Sequence, residues 1–353
     1  MKRFTPLIII SLAIFTSCQK NNAPVPDVAK SATGSFASKN VALTTADVYI
    51  TGLMRLSTTS SQIVPVYWKN GIANIIPHTG NAQPLAITII GNNIYMAGSD
   101  VAANGTIQPC YWKNGVEHLL PVPNHFTGTT NAIAVEGNDV YVVGSYFTRD
   151  SNETQRAMLW KNGVGTLLAF NKDNSEATGI TFDGSDVYIS GNATFNGVSC
   201  AIYWKNEIWH PFAGTTQNSQ ATGIVVDSHD NFYISGSNST NVGYWKNTNF
   251  RSLPDETGVS TPIAINSTND VYTGGQKGQG PAYWKNGQAV PLAIKSFTTG
   301  SVQAIALGGS DVYTAVYYFT MPAGSAYSYY KNTAAVQDLA NATSVFGMAV
   351  VQH

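Results

Sequence analysis

The residues of this chain that could do chemistry are a few acids that belong to no recurring motif. They are Asp150, Glu153, Asp173, Glu176, Asp255 and Glu256. Glycoside hydrolysis needs two carboxylates that flank the scissile bond, so a pair among them would suffice if the fold brought them together. The sequence contains no His-Glu-x-x-His, no Gly-x-Ser-x-Gly, no phosphate loop and no zinc-spaced cysteines. A hydrolase or lyase therefore stays open, and we predict no catalytic residue, metal or cofactor.

A second set of residues is suited to binding, because aromatic and arginine side chains dominate the binding energy of many interfaces. The members share one property: each interrupts an otherwise regular pattern. We predict that they bind a glycan or a protein partner. The candidates are Arg55, Tyr146, Phe147, Arg149, Asp150, Arg156, Trp209, His210, Tyr317, Tyr318 and Phe319.

Charge and metal-binding potential exclude several other classes of partner. The chain has 19 Lys+Arg and 20 Asp+Glu, a formal net charge of −1, which argues against nucleic acid and against a polybasic membrane surface as partners.

The segment Asp227-Ser228-His229-Asp230 is the stretch of sequence that could suggest a calcium site. It lacks the multiple carboxylates of a calcium loop, so we predict no calcium site there.

Two motifs alternate along the chain, and each occurs seven times. The first is Asp-Val-Tyr or a variant, centred on Val48, Ile94, Val140, Val187, Phe232, Val271 and Val312. The second is Tyr-Trp-Lys-Asn or a variant, beginning at Tyr67, Tyr111, Leu159, Tyr203, Tyr244, Tyr283 and Tyr329. A unit of about 45 residues is typical of one four-stranded propeller blade. We therefore predict an all-β, seven-bladed β-propeller of four-stranded antiparallel blades.

The strands of each blade follow from short patterns. An Ala- and Gly-rich first strand, such as 132–135, precedes the Val-Tyr strand, and the Tyr-Trp strand is joined to a fourth strand by Asn-Gly, a strong hairpin signal. The first-strand pattern occurs eight times, at 41–43 and at 346–351 among others. One of these two must close the ring. We favour the C-terminal strand, beside Val48–Gly52.

Residues that recur in every blade are expected to have structural tasks. We predict that the six repeated Trp fill the space between blades rather than bind sugars. The Lys before each turn should be solvated, and the Asp of Asp-Val-Tyr should bind turn amides. Cys110 and Cys200 lie on equivalent strands of non-adjacent blades, so we expect buried free thiols.

The irregular loops are predicted to share one face of the propeller. In an up-and-down blade the 1–2 and 3–4 turns lie on one face, while the 2–3 and 4–1 connections lie on the other. The second face carries nearly all the non-repeated residues. Because binding usually sits on loops held by a rigid scaffold, we predict a ligand face built mainly by blades one, three and seven, through loops 53–64, 145–156 and 316–327.

The N-terminus has the order of a secretory signal: a basic start, an apolar run from Phe4 to Phe15, and small residues. Its ending, Phe15-Thr16-Ser17-Cys18, resembles the lipobox of bacterial, Bacteroidetes-type lipoproteins. That resemblance implies lipidation of Cys18, membrane attachment through the lipid, and sorting to the outer membrane, facing the periplasm or the cell surface. The predicted division is a signal peptide at 1–17, lipidated Cys18 and a flexible tether to residue 39, and the propeller at 40–353.

The order Tyr-Trp-Lys-Asn-Gly, Leu, Ala-Ile and Val-Tyr-x-x-Gly resembles the extracellular repeats of the HAF family of bacterial surface proteins. The resemblance covers about residues 40–351 and implies a propeller in an extracellular setting, with no catalytic residues to transfer. Our leading interpretation is a non-catalytic lipoprotein that binds a glycan or a protein. The alternatives are an exported carbohydrate-active enzyme with its site in the central pocket and a structural component of a surface assembly.

Overall fold

The computed structural model describes residues 46–101, 105–125, 127–148, 154–168, 174–212, 217–239, 241–257, 262–294 and 296–353. The predicted signal peptide, Cys18, the tether and the strand-like pattern at 41–43 lie outside these residues. No helix within the described ranges has the length and apolar character needed to cross a membrane.

Twenty-eight strands form seven antiparallel four-stranded sheets. In chain order they are β1 (Ala46–Arg55), β2 (Ile63–Lys69), β3 (Ile72–Ile75), β4 (Gln83–Ile90), β5 (Asn93–Val101), β6 (Ile107–Lys113), β7 (Val116–Leu119), β8 (Thr127–Glu136), β9 (Asp139–Phe147), β10 (Gln155–Lys161), β11 (Val164–Leu167), β12 (Ser175–Asp183), β13 (Asp186–Phe195), β14 (Val198–Lys205), β15 (Ile208–Pro211), β16 (Ser219–Val226), β17 (Phe232–Asn238), β18 (Asn241–Lys246), β19 (Asn249–Ser252), β20 (Ile263–Ile265), β21 (Val271–Lys277), β22 (Gly280–Lys285), β23 (Gln288–Pro291), β24 (Thr299–Gly308), β25 (Asp311–Thr320), β26 (Gly324–Lys331), β27 (Ala334–Asp338) and β28 (Ala342–Gln352). One 3-10 turn spans Pro123–His125.

The sheets confirm the seven-bladed propeller and the favoured mode of closure. Blade one has the strand order β28-β1-β2-β3, and blades two to seven take four consecutive strands each, ending with β24–β27. The first strands of neighbouring blades contact one another around the whole ring. The C-terminal strand β28 is the first strand of blade one and pairs with β1 from Ala46↔Gln352 to Met54↔Ala342. The chain ends are therefore joined by a β-ladder.

A glycine recurs three residues after the repeated Tyr because there is no room for a side chain there. In five blades a Cβ atom at this position would overlap a carbonyl oxygen of the first strand, as at Gly52 against Ser344 and at Gly144 against Thr129. In blade six the atom would meet the carboxylate of Glu256 instead. The glycine thus lets the second strand lie close to the first.

The core consists of seven separate clusters, one for each interface between adjacent blades. The six repeated Trp are buried in these clusters, and Tyr330 takes their place in blade seven. Three of the indoles also bind the preceding blade: Trp112, Trp160 and Trp284 donate to the carbonyls of Pro77, Pro121 and Pro254 at 2.7 to 3.0 Å. The prediction that the Trp pack between blades is confirmed.

The two cysteines of the described region also match their prediction. Cys110 lies on β6 and Cys200 on β14, the third strands of blades two and four, and both are buried free thiols. Burial raises the pKa of each thiol, which keeps both in the unreactive protonated form.

A repeated polar arrangement, which we call the clasp, joins the start of the second strand to the 3–4 turn in each blade. It lies on the face opposite the 2–3 and 4–1 connections, which we call the regular face. In blade one the Asn70 side chain accepts a hydrogen bond from the Val48 amide at 2.8 Å and donates to Asp47 at 2.7 Å. Lys69 binds Asp47 at 2.7 Å and lies 5.3 Å from the centre of the Tyr49 ring. The Lys–Tyr contact occurs in all seven blades.

The clasp corrects the prediction for the repeated Asp and extends the one for the repeated Lys, whose side chain is paired while it stays 35 to 50% exposed. The repeated Lys is paired with Asp and with the Tyr ring, because both acceptors lie across the hairpin from it. The turn amide is bound by Asn, and the Asp binds Asn and Lys. In blades two and five Asn93 and Asn231 replace the Asp, so Lys113 and Lys246 have no ion pair within the described residues.

We expect the clasps to make stability depend on pH under acid conditions. Hydrogen bonds from Lys285 and Asn286 lower the pKa of Asp270 to about 2, against about 3.9 for an unfolded chain. The ionised clasp therefore contributes stability above about pH 4, and that contribution is lost as the pH falls towards 2. In urea unfolding, D270N should lose stability less steeply than the wild type over this range. N93D, which gives Lys113 a carboxylate, should lose stability more steeply. Equal slopes of the unfolding free energy against pH for the wild type, D270N and N93D would contradict this role.

We expect removal of residues 342–353 to abolish the cooperative unfolding transition. The deletion takes away the first strand of blade one, so the seventh and second blades lose the strand that both contact. Circular dichroism during heating measures the transition. Removal of the exposed His353 alone is the control and should leave the transition in place, whereas a cooperative transition in the long deletion would show that the ring does not need this strand.

Candidate functional site

The 2–3 hairpins of blades one, three and seven are shorter than predicted. Their strands continue to Arg55, Phe147 and Thr320, so the connections shrink to 56–62, 148–154 and 321–323. The expected loops 53–64, 145–156 and 316–327 were too long, because ladder pairing extends through residues that look irregular in sequence. Most candidate residues therefore stand at strand ends, on a more rigid frame than a loop.

A polar cavity of about 130 Å³ opens at the loop-bearing ends of blades three, four and five. Its lining contains amides, hydroxyls and one carboxylate. The residues are Gln155, Asn174, Ser175, Glu176, Asn192, Ala193, Thr194, Ser199 and Gln220. We call this the polar pocket. It lies on the face where the sequence predicted binding, although only Glu176 of its lining was among the residues singled out there.

Two asparagines beside the polar pocket form hydrogen bonds from one blade to the first strand of the next. Asn131 of blade three donates to Glu176 Oε1 and to the Ala177 carbonyl of blade four, both at 2.8 Å. Asn192 of blade four accepts from the Ala221 amide at 2.8 Å and donates to its carbonyl at 3.2 Å in blade five. The carboxylate of Glu176 is thus held in place by a neutral donor.

The environment of Glu176 disfavours its charge. Burial raises the pKa of this carboxyl, and the hydrogen bond from Asn131 offsets the effect only in part. No cation is among the causes that shift it. A carboxyl of this kind, set among amides and hydroxyls, is suited to accept hydrogen bonds from a neutral hydroxylated ligand.

One of the predicted binding residues, Phe147, lies next to a residue of this pocket. Phe147 stands opposite Gln155 in the β9–β10 ladder and is 37% exposed. Alternation along β9 puts it on the same face as Ser145, which receives a hydrogen bond from Gln155. Tyr146 is buried between blades two and three, so it belongs to the core, and Arg156 is its ladder partner. Arg149 and Asp150 lie outside the described residues.

Trp209 and His210 are not on the loop-bearing face. They lie on β15, the outermost strand of blade four. His210 stacks on Tyr203 with 4.9 Å between ring centres, and Trp209 is tilted against Phe195 at 5.8 Å. Their placement on a loop was wrong because the fourth strand here starts directly after the turn at Asn206-Glu207.

The remaining candidates are spread over blades seven and one. Tyr317, Tyr318 and Phe319 lie on β25, where Tyr317 packs against Tyr327 and Tyr318 bonds Ser328. Arg55 ends β1. Close to it, a second cavity of about 190 Å³ lies between blades one and two. Its lining is Leu53, Ile63, Pro65, Gly80, Asn81, Ala82 and Gln83.

The two acids singled out near the start of blade six have structural partners. Asp255 pairs with Lys277 at 3.4 Å, and Glu256 accepts from the Gln276 amide at 3.1 Å. Asp227 accepts from the His229 and Asn231 amides and from the Tyr233 hydroxyl, as expected of a turn. No group of three or more metal-ligating side chains occurs in the described part of the chain. Glu153 and Asp173 fall outside it.

The predicted binding residues are charged or aromatic, so they do not include the neutral amides of the polar pocket. The position of Asn131, by contrast, can be recognised by comparing the first strands of the blades. This residue occupies the position of a register shift between the first and second strands, and the same position holds Leu85 in blade two and Gln303 in blade seven. Variation at one site of an otherwise regular strand marks a position that faces something other than the core.

Comparisons with known proteins support the fold. No protein-family model matches the chain, and no curated protein matches its sequence. Among solved structures, a Pyrococcus horikoshii acylaminoacyl peptidase is similar with a TM-score of 0.52 and 10% identity, over 85% of this chain and 52% of that one. A puromycin hydrolase has a TM-score of 0.44 and 10% identity, over 74% and 54%. The chain spans about half the length of these proteins, and likeness at this identity shows the fold alone.

We expect E176Q to stabilise the protein at neutral and alkaline pH. Because the folded-state pKa of this carboxyl is raised, ionisation costs stability as the pH rises through that pKa, and the glutamine avoids the cost. The unfolding temperature of E176Q should exceed that of the wild type at about pH 8. The difference should shrink towards about pH 3, below the unfolded-state pKa of about 4.3, where both states are protonated. E136Q, at an exposed turn, is the control. A pH-independent difference would contradict the role given to the charge.

Proposed function

We propose that this protein is a non-catalytic, exported lipoprotein that binds a neutral oligosaccharide in the polar pocket. The observation that carries the proposal is the lining: amides and hydroxyls from three blades surround one half-buried carboxyl. The exposed ring of Phe147 stands opposite Gln155 of that lining in the β9–β10 ladder. Sugar hydroxyls both donate and accept, so they suit such a mixed set of groups.

The proposed location of the protein, and so of its ligand, is argued from the sequence. The apolar N-terminal run, the lipobox-like Phe15-Thr16-Ser17-Cys18 and the similarity to HAF-type repeats support attachment to the outer membrane through a lipid on Cys18. In that setting a surface or periplasmic glycan is the partner within reach. The low share of charged residues, 11%, also accords with a neutral ligand.

Binding accounts for the site better than hydrolysis. Glycoside cleavage uses two carboxyl groups about 5 to 10 Å apart, and the described lining of the polar pocket holds Glu176 as its one acid. The nearest described acids of blade six are engaged with Lys277 and with the Gln276 amide.

We expect the detergent-solubilised full chain to bind neutral glycans on an array, and F147A to weaken binding about fivefold through loss of aromatic contact. The matched control is F297A, which removes a ring that is 36% exposed but is far along the chain in blade six. E176Q should weaken binding about tenfold, as the loss of a charge-assisted hydrogen bond would. Titration calorimetry with the best array ligand measures both.

An array without signal, or equal affinity for F147A and F297A, would refute glycan binding at this pocket. Release of shorter sugars from the bound ligand would instead indicate the hydrolase. Capture of a protein whose binding is lost in E176Q would favour a protein partner at the same place.

A further inference from the structure

The Asn-Gly dipeptide occurs five times within the described ranges, always with nearly the same backbone. Four copies form the 3–4 turns of blades one, two, three and six, and the fifth forms the 2–3 turn of blade four. The Asn φ values lie between 49° and 52° and the Gly φ values between 80° and 83°. The copies are Asn70-Gly71, Asn114-Gly115, Asn162-Gly163, Asn196-Gly197 and Asn286-Gly287. The chain therefore offers a comparison in which the backbone conformation is constant.

The side chains of these asparagines differ in one respect. In the four 3–4 turns the Asn amide is fixed by the clasp: its oxygen accepts a backbone N–H at 2.8 to 2.9 Å, and its nitrogen donates at 2.7 to 2.8 Å. Asn196 is exposed, and its amide makes no hydrogen bond to any described residue. A Cβ atom added to Gly197 would meet open space, so nothing crowds the turn.

We propose that Asn196-Gly197 is a site of spontaneous deamidation and that the clasps protect the other four copies. The Gly197 backbone nitrogen attacks Cγ of Asn196, forming an N–C bond and a succinimide ring. The bond from Cγ to the side-chain nitrogen breaks, and ammonia leaves with the proton from the Gly197 amide. Water then opens the ring to give aspartate or isoaspartate. The reaction consumes only water.

Protection follows from the geometry of the attack. The Asn side chain must rotate to bring Cγ over the next backbone nitrogen, and both hydrogen bonds of the clasp must break first. Two such bonds correspond to a rate ratio of roughly ten- to a hundredfold. Asn114, whose partner is the neutral Asn93, should be the least protected of the four.

Deamidation of Asn196 would change the surroundings of the polar pocket, because the hairpin that carries Asn196 also contributes to the lining of that pocket. Thr194 and Ser199 flank the same hairpin and line the polar pocket. Deamidation places a new negative charge at the tip of this hairpin, and isoaspartate also lengthens its backbone. The chemistry at Asn196 itself does not depend on the proposed ligand.

The test is to incubate the folded full chain at mildly alkaline pH and to follow each Asn-Gly copy by peptide mass spectrometry. We expect Asn196 to acquire the mass gain of an NH2-to-OH exchange at least about tenfold faster than the four clasped copies. N196Q identifies the fast signal by removing it. Asn104-Gly105 is read separately, because Asn104 lies outside the described residues.

A second variant tests the cause. D139A removes the acceptor of the Asn162 amide in blade three and should accelerate deamidation of Asn162, while Asn196 keeps its rate as the internal reference. Circular dichroism checks that the variant is folded. Equal rates at all five copies, an unmodified Asn196, or an Asn162 rate unchanged in D139A would overturn the proposal.

Discussion

The structure depends on the packing of each blade against the next. Among the described residues, no blade has a core of its own. The seven clusters each combine residues from two neighbouring blades, with a Trp or Tyr330 buried at each contact. An open row of blades would leave two such faces exposed to water, which costs free energy in proportion to the apolar area. Pairing of β28 with β1 removes both exposed faces at once. The stability of the propeller is therefore tied to its closure.

The two faces of the ring carry different sets of polar side chains. On the regular face, Asp, Lys, Asn and Tyr repeat the same clasp, with salt bridges whose side chains are partly exposed and individually weak. Their value lies in holding the positive-φ turns in one geometry. The other face carries the polar pocket, where Asn131 and Asn192 each bind the first strand of the next blade. The strands of the blades thus hold a small set of polar groups at the loop-bearing face.

The repeat explains why so much of the fold was predictable. Seven copies of two motifs identify the strands, the turns and the buried Trp, because a residue that recurs at one strand position meets the same neighbours in every blade. The roles of Lys69 and Asp47 were harder to predict, since their partners lie across the hairpin. The strand ends at Phe147 and Thr320 were misjudged for a similar reason: ladder pairing with the adjacent strand, rather than local pattern, decides where a strand stops.

By itself, the sequence determined the number of blades, the strand order, the packing role of the Trp and the face on which irregular residues gather. Local periodicity and turn chemistry encode these features. Only the tertiary structure decided which chain end closes the ring, that Tyr146 belongs to the core while Phe147 is exposed, and that Trp209 and His210 lie on an outer strand. It also decided that Glu176 meets Asn131 and shares a cavity with Gln155 and Gln220. Those contacts join residues of different blades, and the curvature and spacing of the ring, which no local pattern records, bring them together.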